Sequence, residues 1–270
     1  MTKRVGIAVL VALLLTGCSS TDPDQSDVLW TGTYDSGYLS DFAQIGQNDA
    51  GPIRPEVESS IVADGQFAGA YRIPPRGTRS ETIAGDVRLR KISEGDDLWF
   101  GWRIRIPAGL PTRIPQYQKL VEWQNPSFGD PPLSLTVGQS ADVFRAEGGF
   151  DNPNGNRHSS VDLGPVAFDR WITWLWHIKF STNPDIGTVT IWRDGDQLIN
   201  DWHPTGGTLY PQFAADGSNP NNADGVYVSW KQGYSRDPSI LTDNTVYFDS
   251  LRAATSRAGA ELPPLKQGAQ

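Results

Sequence analysis

The sequence contains very little cysteine, histidine or methionine: one Cys, three His and one Met among 270 residues. A single Cys excludes an internal disulfide and a cysteine-rich zinc site, and a multi-histidine metal centre would need nearly every His in the chain. Basic residues are also few, with 23 Lys and Arg against 31 Asp and Glu and a formal net charge of −8. This excess of acidic residues argues against a general role in binding nucleic acid.

Glycine, proline and tryptophan are abundant instead, with 28, 20 and 10 residues respectively. Hydrophobic residues make up 38% of the chain and charged residues 20%, a composition that fits neither a disordered tail nor a coiled coil. Many turns, many strands and aromatic surfaces of the kind on which sugars stack are therefore expected.

The N-terminus has the features of a bacterial export signal. Two basic residues precede an apolar stretch at 5–15, which is shorter than the roughly 20 residues needed to span a bilayer. The LTGC segment at 15–18 resembles a lipobox, in which the Cys is lipidated and becomes the first residue of the mature protein. We therefore predict a signal peptide over 1–17 and a lipid anchor at Cys18. The alternative is an ordinary secretory peptide with an incidental Cys.

The export signal sets the expected location of the mature protein. Cleavage removes Lys3 and Arg4, which takes the formal net charge from −8 to −10. Residues 18–27 are polar and predict a tether that holds the folded domain away from the membrane. The protein is thus expected at the cell surface or in the periplasm.

The rest of the chain shows the period-two alternation that is typical of β-strands. Residues 98–106 illustrate it, because five apolar side chains fall on one face and Arg103 and Arg105 on the other. An Asp-Gly pair at 194–195 predicts a hairpin turn. We predict one all-β domain over 28–256, a jelly-roll sandwich of two antiparallel sheets, followed by a tail at 257–270. Further strands are predicted at 61–72, 86–92, 117–124, 132–137, 171–180, 187–193, 226–234 and 246–253.

The most apolar predicted strand, 171–180, divides into two faces. One face carries two Trp, two Ile and a Phe, which are expected to fill the space between the sheets. His177 lies on the other face, where a structural or solvent-facing role is expected.

Two segments place charged and amide side chains on one face of a strand. Arg79 and Glu81 are two residues apart, so they share a face, where they can form a pair while Arg79 keeps donors for a ligand. Glu122 and Gln124 likewise share a face, opposite Val121 and Trp123.

A third segment, 226–236, carries two Tyr, one Lys and one Arg near a strand end. Each of the three segments taken alone fits a solvated sheet face. All three on one sandwich instead predict a polar groove, because a concave sheet gathers such faces together.

The ordered set of segments resembles the jelly-roll polysaccharide lyases of the heparin lyase I and glucuronan lyase kind, and more distantly the alginate lyases. The resemblance covers nearly the whole mature chain and implies a concanavalin A-like sandwich. The segments are LWTGTY at 29–34, TRSE at 78–81, WFGW at 99–102 with IP at 106–107, VEWQN at 121–125 with PPLSL at 131–135, the strands at 171–181 and 187–195, KQGYSR at 231–236 and YFDSLR at 247–252.

The chemistry that this resemblance implies is β-elimination on a uronate polymer. A group must neutralise the C6 carboxylate, a base must take the C5 proton, and an acid must protonate the departing oxygen. Gln124, Arg79, Lys231 and Arg236 are the expected partners of the carboxylate. Tyr234 is the expected proton donor.

The sequence departs from the family pattern in two places. The family's Q-W-H is here Glu122-Trp123-Gln124, so the His is absent, and His158 is the candidate to supply an imidazole from a nearby loop. The Tyr of the last motif comes three residues after Lys231 instead of four, which reverses its face unless a bulge intervenes. Tyr227 is then the tyrosine that shares a face with Lys231.

Two other functions remain open. The first is a non-catalytic carbohydrate-binding lipoprotein on the same fold. The second is a glycoside hydrolase that uses Glu122 with Glu81 or Glu147, although no E-x-D-x-x-E triad is present. A polysaccharide partner, a lipid anchor in the membrane, no nucleic acid and a monomeric state are expected. No cofactor is assigned, and although a structural calcium ion is common in such sandwiches, the sequence indicates no site for one.

Overall fold

A computed structural model describes residues 27–43, 53–125, 130–148, 158–210 and 226–265. The predicted signal peptide, Cys18 and all of the predicted tether except its last residue lie outside these ranges. Within them, no helix has the length and apolar character needed to cross a membrane. The described residues form two antiparallel sheets, as the alternation predicts.

The first sheet contains eight strands. Its strands are β1 (Val28–Gly32), β2 (Glu56–Glu58), β3 (Ala68–Ile73), β6 (Asp97–Arg105), β11 (Trp171–Lys179), β12 (Thr188–Arg193), β13 (Asp196–Trp202) and β15 (Asn244–Ala254). Their order is β13-β12-β11-β6-β15-β3-β2, and β1 also pairs with β15.

The second sheet contains seven strands. Its strands are β4 (Arg79–Ile83), β5 (Ile92–Ser93), β7 (Gln118–Gln124), β8 (Leu133–Val137), β9 (Val143–Gly148), β10 (Ser159–Pro165) and β14 (Tyr227–Arg236). Their order is β10-β9-β8-β7-β14-β4, and β5 pairs with the other end of β14.

Helical structure is almost absent from the described residues. The one α-helix, α1 (Arg257–Ala260), begins after Ser256, whose side chain accepts a hydrogen bond from the Gly259 N–H. The prediction of a strand at 86–92 is wrong over most of this segment, because Arg88–Arg90 form a 3-10 turn. Asp86 stabilises this turn by accepting from the Arg88 backbone N–H at 2.7 Å.

Aromatic side chains fill the space between the two sheets. Trp102 and Trp176 from the first sheet pack with Trp123 from the second. The ring centroid of Trp176 lies 5.7 Å from that of Trp102 and 5.2 Å from that of Trp123. All three side chains are fully buried. The predicted core face of the 171–180 strand is confirmed, because all five of its apolar side chains belong to this cluster. The tryptophans therefore act mainly in packing.

Two local predictions are also confirmed. Asp194 and Gly195 both have positive φ, 53° and 92°, as the tight turn between β12 and β13 requires. His177 lies on the outer face of β11, where its ring stacks on Trp99 at 4.1 Å and its Nε2 bonds Asp97.

Candidate active site

A cleft of about 620 Å³ lies on the face of the seven-stranded sheet that points away from the core. Its walls come from β4, β7, β8, β9 and β14 and from the segments beside them. The polar side chains that line it are Thr78, Arg79, Gln116, Tyr117, Lys119, Glu122, Gln124, Asp130, Ser134, Gln139, Glu147, Ser235 and Asp237.

Strand β7 supplies the centre of the floor. Glu122 and Gln124 line the cleft, whereas Val121 and Trp123 are buried in the core, as the alternation predicts. Glu122 is only 4% exposed, and no hydrogen bond or ion pair joins its carboxylate to another of the described residues. A carboxylate therefore faces the cleft without a direct partner from the described part of the protein.

A bulge in β7 adds a lysine that the alternation of the sequence does not predict. The pairing with β8 shifts between Lys119 and Val121, and Leu120 is buried in the core beside Val121. Lys119 consequently faces the cleft, where strict alternation would have turned it into the core. Burial alone would lower the pKa of the Lys119 ammonium, but Glu122 and Asp130 outweigh that effect and raise the pKa. Lys119 forms an ion pair with Asp130.

Lys231 from β14 is not itself a lining residue of the cleft, but it holds Gln124, which is one. It lies directly opposite Glu122 in the pairing of β14 with β7, and its Nζ donates to Oε1 of Gln124 at 2.9 Å. Because a lysine ammonium only donates, this bond fixes the Gln124 amide with its Nε2 directed elsewhere. Lys231 is 7% exposed, so its charge acts in a partly desolvated environment.

Strand β4 brings Arg79 to the edge of the cleft and Glu81 below it. The expected pair does not form, because within the described residues no ion pair joins Arg79 to either Glu81 or Glu122. Glu81 is buried, and its Oε2 has no hydrogen-bond partner among the described residues. Burial raises the pKa of the Glu81 carboxyl to about 8, and Glu122 adds to the rise while Lys231 opposes it.

Tyr234 does not face the cleft, which corrects the expectation that it is the proton donor. Its ring is fully buried in the inter-sheet core, and its hydroxyl donates to Oε1 of Gln118. Burial raises its pKa to about 12. Gly233, with φ of 146°, does permit a bulge against β7, but the side chains of β14 still alternate. Ser235, the next residue, is the one that lines the cleft.

Three other predicted site residues also lie away from the cleft. The buried Arg236 guanidinium donates to backbone carbonyls of residues 73, 74 and 77 and to Asn244, so it ties β14 to the β3–β4 turn. Tyr227 is half-buried at the opposite end of β14, with Lys91 Nζ 5.6 Å from its ring centroid. His158 is exposed just before edge strand β10, and the rest of its predicted loop lies outside the described residues.

Tyr117, which no motif pointed to, brings a phenol to the cleft. It is the only Tyr or His among the described lining residues. The backbone N–H of Asp237 donates to the Tyr117 carbonyl at 3.2 Å, which sets Tyr117 beside the end of β14 that carries Ser235. Lys119 Nζ lies 5.5 Å from the ring centroid. Burial raises the pKa of the Tyr117 phenol, so the phenol keeps its proton at neutral pH.

Charges of both signs line the cleft. Arg79 and Lys119 are its basic lining residues, and the acidic ones are Glu122, Asp130, Glu147 and Asp237. Within the part of the chain that the structure describes, no three His, Cys, Asp or Glu side chains are grouped to hold a metal ion. A site for a structural calcium ion thus stays unassigned.

Comparisons with known proteins agree with this architecture. The family model described as polysaccharide lyase matches residues 34–252, and no curated protein matches the chain. The fold is similar to that of the endo-β-1,4-glucuronan lyase of the fungus Trichoderma reesei, with a TM-score of 0.61 and 15% identity over 86% of this chain and 98% of that one.

Two further solved structures share the fold. The cellulose-induced protein Cip1 has a TM-score of 0.52 and 15% identity over 86% of this chain and 99% of its own. The binding domain of botulinum neurotoxin serotype C1 has a TM-score of 0.51 and 10% identity over 88% of this chain and 50% of its own. At these identities the likeness concerns the fold alone.

Proposed function

Because the chain belongs to the polysaccharide lyase family, we propose that it cleaves a uronate-containing polysaccharide by β-elimination in the cleft above β7 and β14. The observation that carries this proposal is the Lys231–Gln124 hydrogen bond at the centre of the floor, next to Glu122. It provides a cation and an oriented amide at one point, which is what an incoming carboxylate requires.

The first requirement of the reaction is to neutralise the C6 carboxylate of the sugar. Gln124 uses Oε1 to accept from Lys231, so Nε2 is the atom with which it donates to a substrate carboxylate. Lys231 supplies the compensating positive charge, and Arg79 lies at the edge of the same cleft. With its carboxylate neutralised, the sugar can form carbanion character at C5 at a lower energetic cost.

The second requirement is proton transfer. We assign the role of the base that removes the C5 proton to the Glu122 carboxylate. This carboxylate faces the cleft without a hydrogen bond to any other described residue. We assign protonation of the departing glycosidic oxygen to Tyr117. The C5–H and C4–O bonds break, a C4–C5 double bond forms, and the oxygen leaves with the Tyr117 proton. Proton exchange from Glu122 to Tyr117 through solvent then resets the site.

The location is part of the same proposal. The basic start, the apolar stretch at 5–15 and the lone Cys18 support export followed by lipid anchoring. A lipid-anchored enzyme would hold its cleft where extracellular polysaccharides are present.

The test measures unsaturated uronate ends by ultraviolet absorbance and new reducing ends by a colorimetric assay, on the same digest of a uronate polymer. The wild-type protein should produce both in equal amounts. Tyr117→Phe and Gln124→Ala should each lower kcat by about 100-fold or more. Tyr38→Phe, which removes an exposed phenol outside the cleft, is the matched control and should retain full activity.

Three results would contradict the proposal. New reducing ends without the absorbance of unsaturated uronate would mean hydrolysis. That result would favour the alternative function, a glycoside hydrolase that uses Glu122 with Glu81 or Glu147. Binding without either product would mean a carbohydrate-binding module. Full activity of Tyr117→Phe would refute the role of the phenol and leave the reaction class intact.

A further inference from the structure

We infer that the substrate of this cleft is a sparsely charged polysaccharide, in which the uronate that is cleaved is flanked by neutral, hydroxyl-bearing sugars. This inference rests on the proposed function, and it specifies which uronate polymers the cleft accepts. The observation behind it is a row of side chains that crosses four strands.

The row follows from the strand register. Lys231 on β14 is directly opposite Glu122 on β7, Glu122 is opposite Ser134 on β8, and Ser134 is opposite Glu147 on β9. Glu122, Ser134 and Glu147 all line the cleft. With strands about 4.8 Å apart, Glu147 lies roughly 10 Å from Glu122 and roughly 14 Å from Lys231. A sugar chain that crosses the strands therefore passes over the Lys231–Gln124 pair at one end of the row and meets a carboxylate at the other.

The Glu147 carboxylate is held in the cleft by a single described side chain. Its carboxylate accepts from Nε2 of Gln139 at 2.7 Å, and no basic residue of the described chain forms an ion pair with it. Arg145, two residues earlier on the same face of β9, is paired with Asp162 at 2.7 Å. Glu147 is only 6% exposed, so solvent screens its charge incompletely.

Two of the other cations near the cleft are already engaged, and the third, Arg79 on β4, lies on the far side of β14 from Glu147. Lys119 pairs with Asp130, and Lys231 bonds Gln124 across from Glu122. Acidic lining residues outnumber basic ones, and the chain as a whole is negative. One carboxylate finds neutralisation at Lys231 and Gln124, whereas a second one near Glu147 meets a carboxylate that forms no ion pair with a described basic residue. Sugar hydroxyls, in contrast, donate hydrogen bonds to a carboxylate.

The experiment compares polymers that differ only in charge density. Glucuronan and alginate are each used in native form and after partial chemical reduction of their carboxyl groups to primary alcohols, which leaves the linkages unchanged. Kd is measured by calorimetry and kcat/KM by the unsaturated-uronate absorbance, at low and at physiological salt. The proteins are the wild type, Glu147→Gln and the control Glu56→Gln, which makes the same charge change at an exposed position in β2.

We expect the partly reduced form of the polymer that is cleaved to bind about 10-fold more tightly than the native form at low salt, with a smaller difference at physiological salt. Glu147→Gln should remove most of this preference by improving binding of the native polymer. Glu56→Gln should behave as the wild type.

Tighter binding of the native polymers, or an unchanged preference in Glu147→Gln, would overturn the inference. The proposed function would survive that result as long as unsaturated ends form. If no polymer yields unsaturated ends, the proposed function is refuted, and the inference that rests on it is refuted as well.

Discussion

Glu81 makes the stability of this protein depend on pH in an unusual direction. Its carboxyl is buried under the cleft, and burial raises the pKa from the ordinary 4.5 to about 8. Between pH 4.5 and about pH 8, Glu81 is therefore protonated in the folded state, whereas in the unfolded chain it has already released its proton. Because the unfolded state binds fewer protons between these two values, the free energy of unfolding decreases as the pH rises through this window.

The size of the effect follows from the shift. Each pKa unit corresponds to about 1.4 kcal/mol, so the full difference amounts to at most about 5 kcal/mol. Among the described residues, Asp249 is the other buried carboxyl with a raised pKa, at about 6, and it acts in the same direction at lower pH. Between about pH 6 and about pH 8, the free energy of unfolding should decrease by a further amount of about 3 kcal/mol, and this decrease is due to Glu81.

Glu81→Gln tests this reasoning, because the amide keeps the shape of the protonated carboxyl and does not titrate. Urea unfolding at a series of pH values from about 6 to about 8 should show a steep loss of stability in the wild type and a flatter profile in the variant. Glu56→Gln, at an exposed position, should follow the wild type. Parallel profiles for the wild type and Glu81→Gln would refute the assignment of the raised pKa to Glu81.

Two further predictions concern Tyr234 and Cys18. Tyr234→Phe should lower the free energy of unfolding by about 1–2 kcal/mol in chemical denaturation, because Gln118 loses a buried donor. The kcat of this variant should not change. A loss of activity without a loss of stability would instead support Tyr234 as the proton donor. Cys18→Ser should move the exported protein from the detergent phase to the aqueous phase in a detergent partition, and equal partitioning of both forms would contradict the lipid anchor.

Most of the sandwich could be predicted from single segments. Strands such as β6 and β11 bury one face completely, and a buried face leaves a period of two that is readable without any neighbour. The 3-10 turn at Arg88–Arg90 was missed because Val87-Arg88-Leu89-Arg90 alternates in the same way over too few residues to distinguish a strand from a turn.

The candidate site was predictable only in part. Glu122 and Gln124 were placed on the correct face because β7 alternates regularly there. Lys119 was missed because a bulge reverses its face, and a bulge depends on pairing with β8. Tyr117 belongs to no motif, and it reaches the cleft through the chain that precedes β7 and contacts the end of β14.

The sequence by itself determined the all-β class, the residues that pack between the sheets and the chemical groups available on the polar faces. Those properties depend on alternation along one strand, which the chain carries locally. Only the tertiary structure decided that Lys231, Glu122, Ser134 and Glu147 form one row, and that Tyr234 lies in the core while Tyr117 lies in the cleft. Register between strands distant in sequence is set by bulges and by packing against the opposite sheet, and neither is written in any single segment.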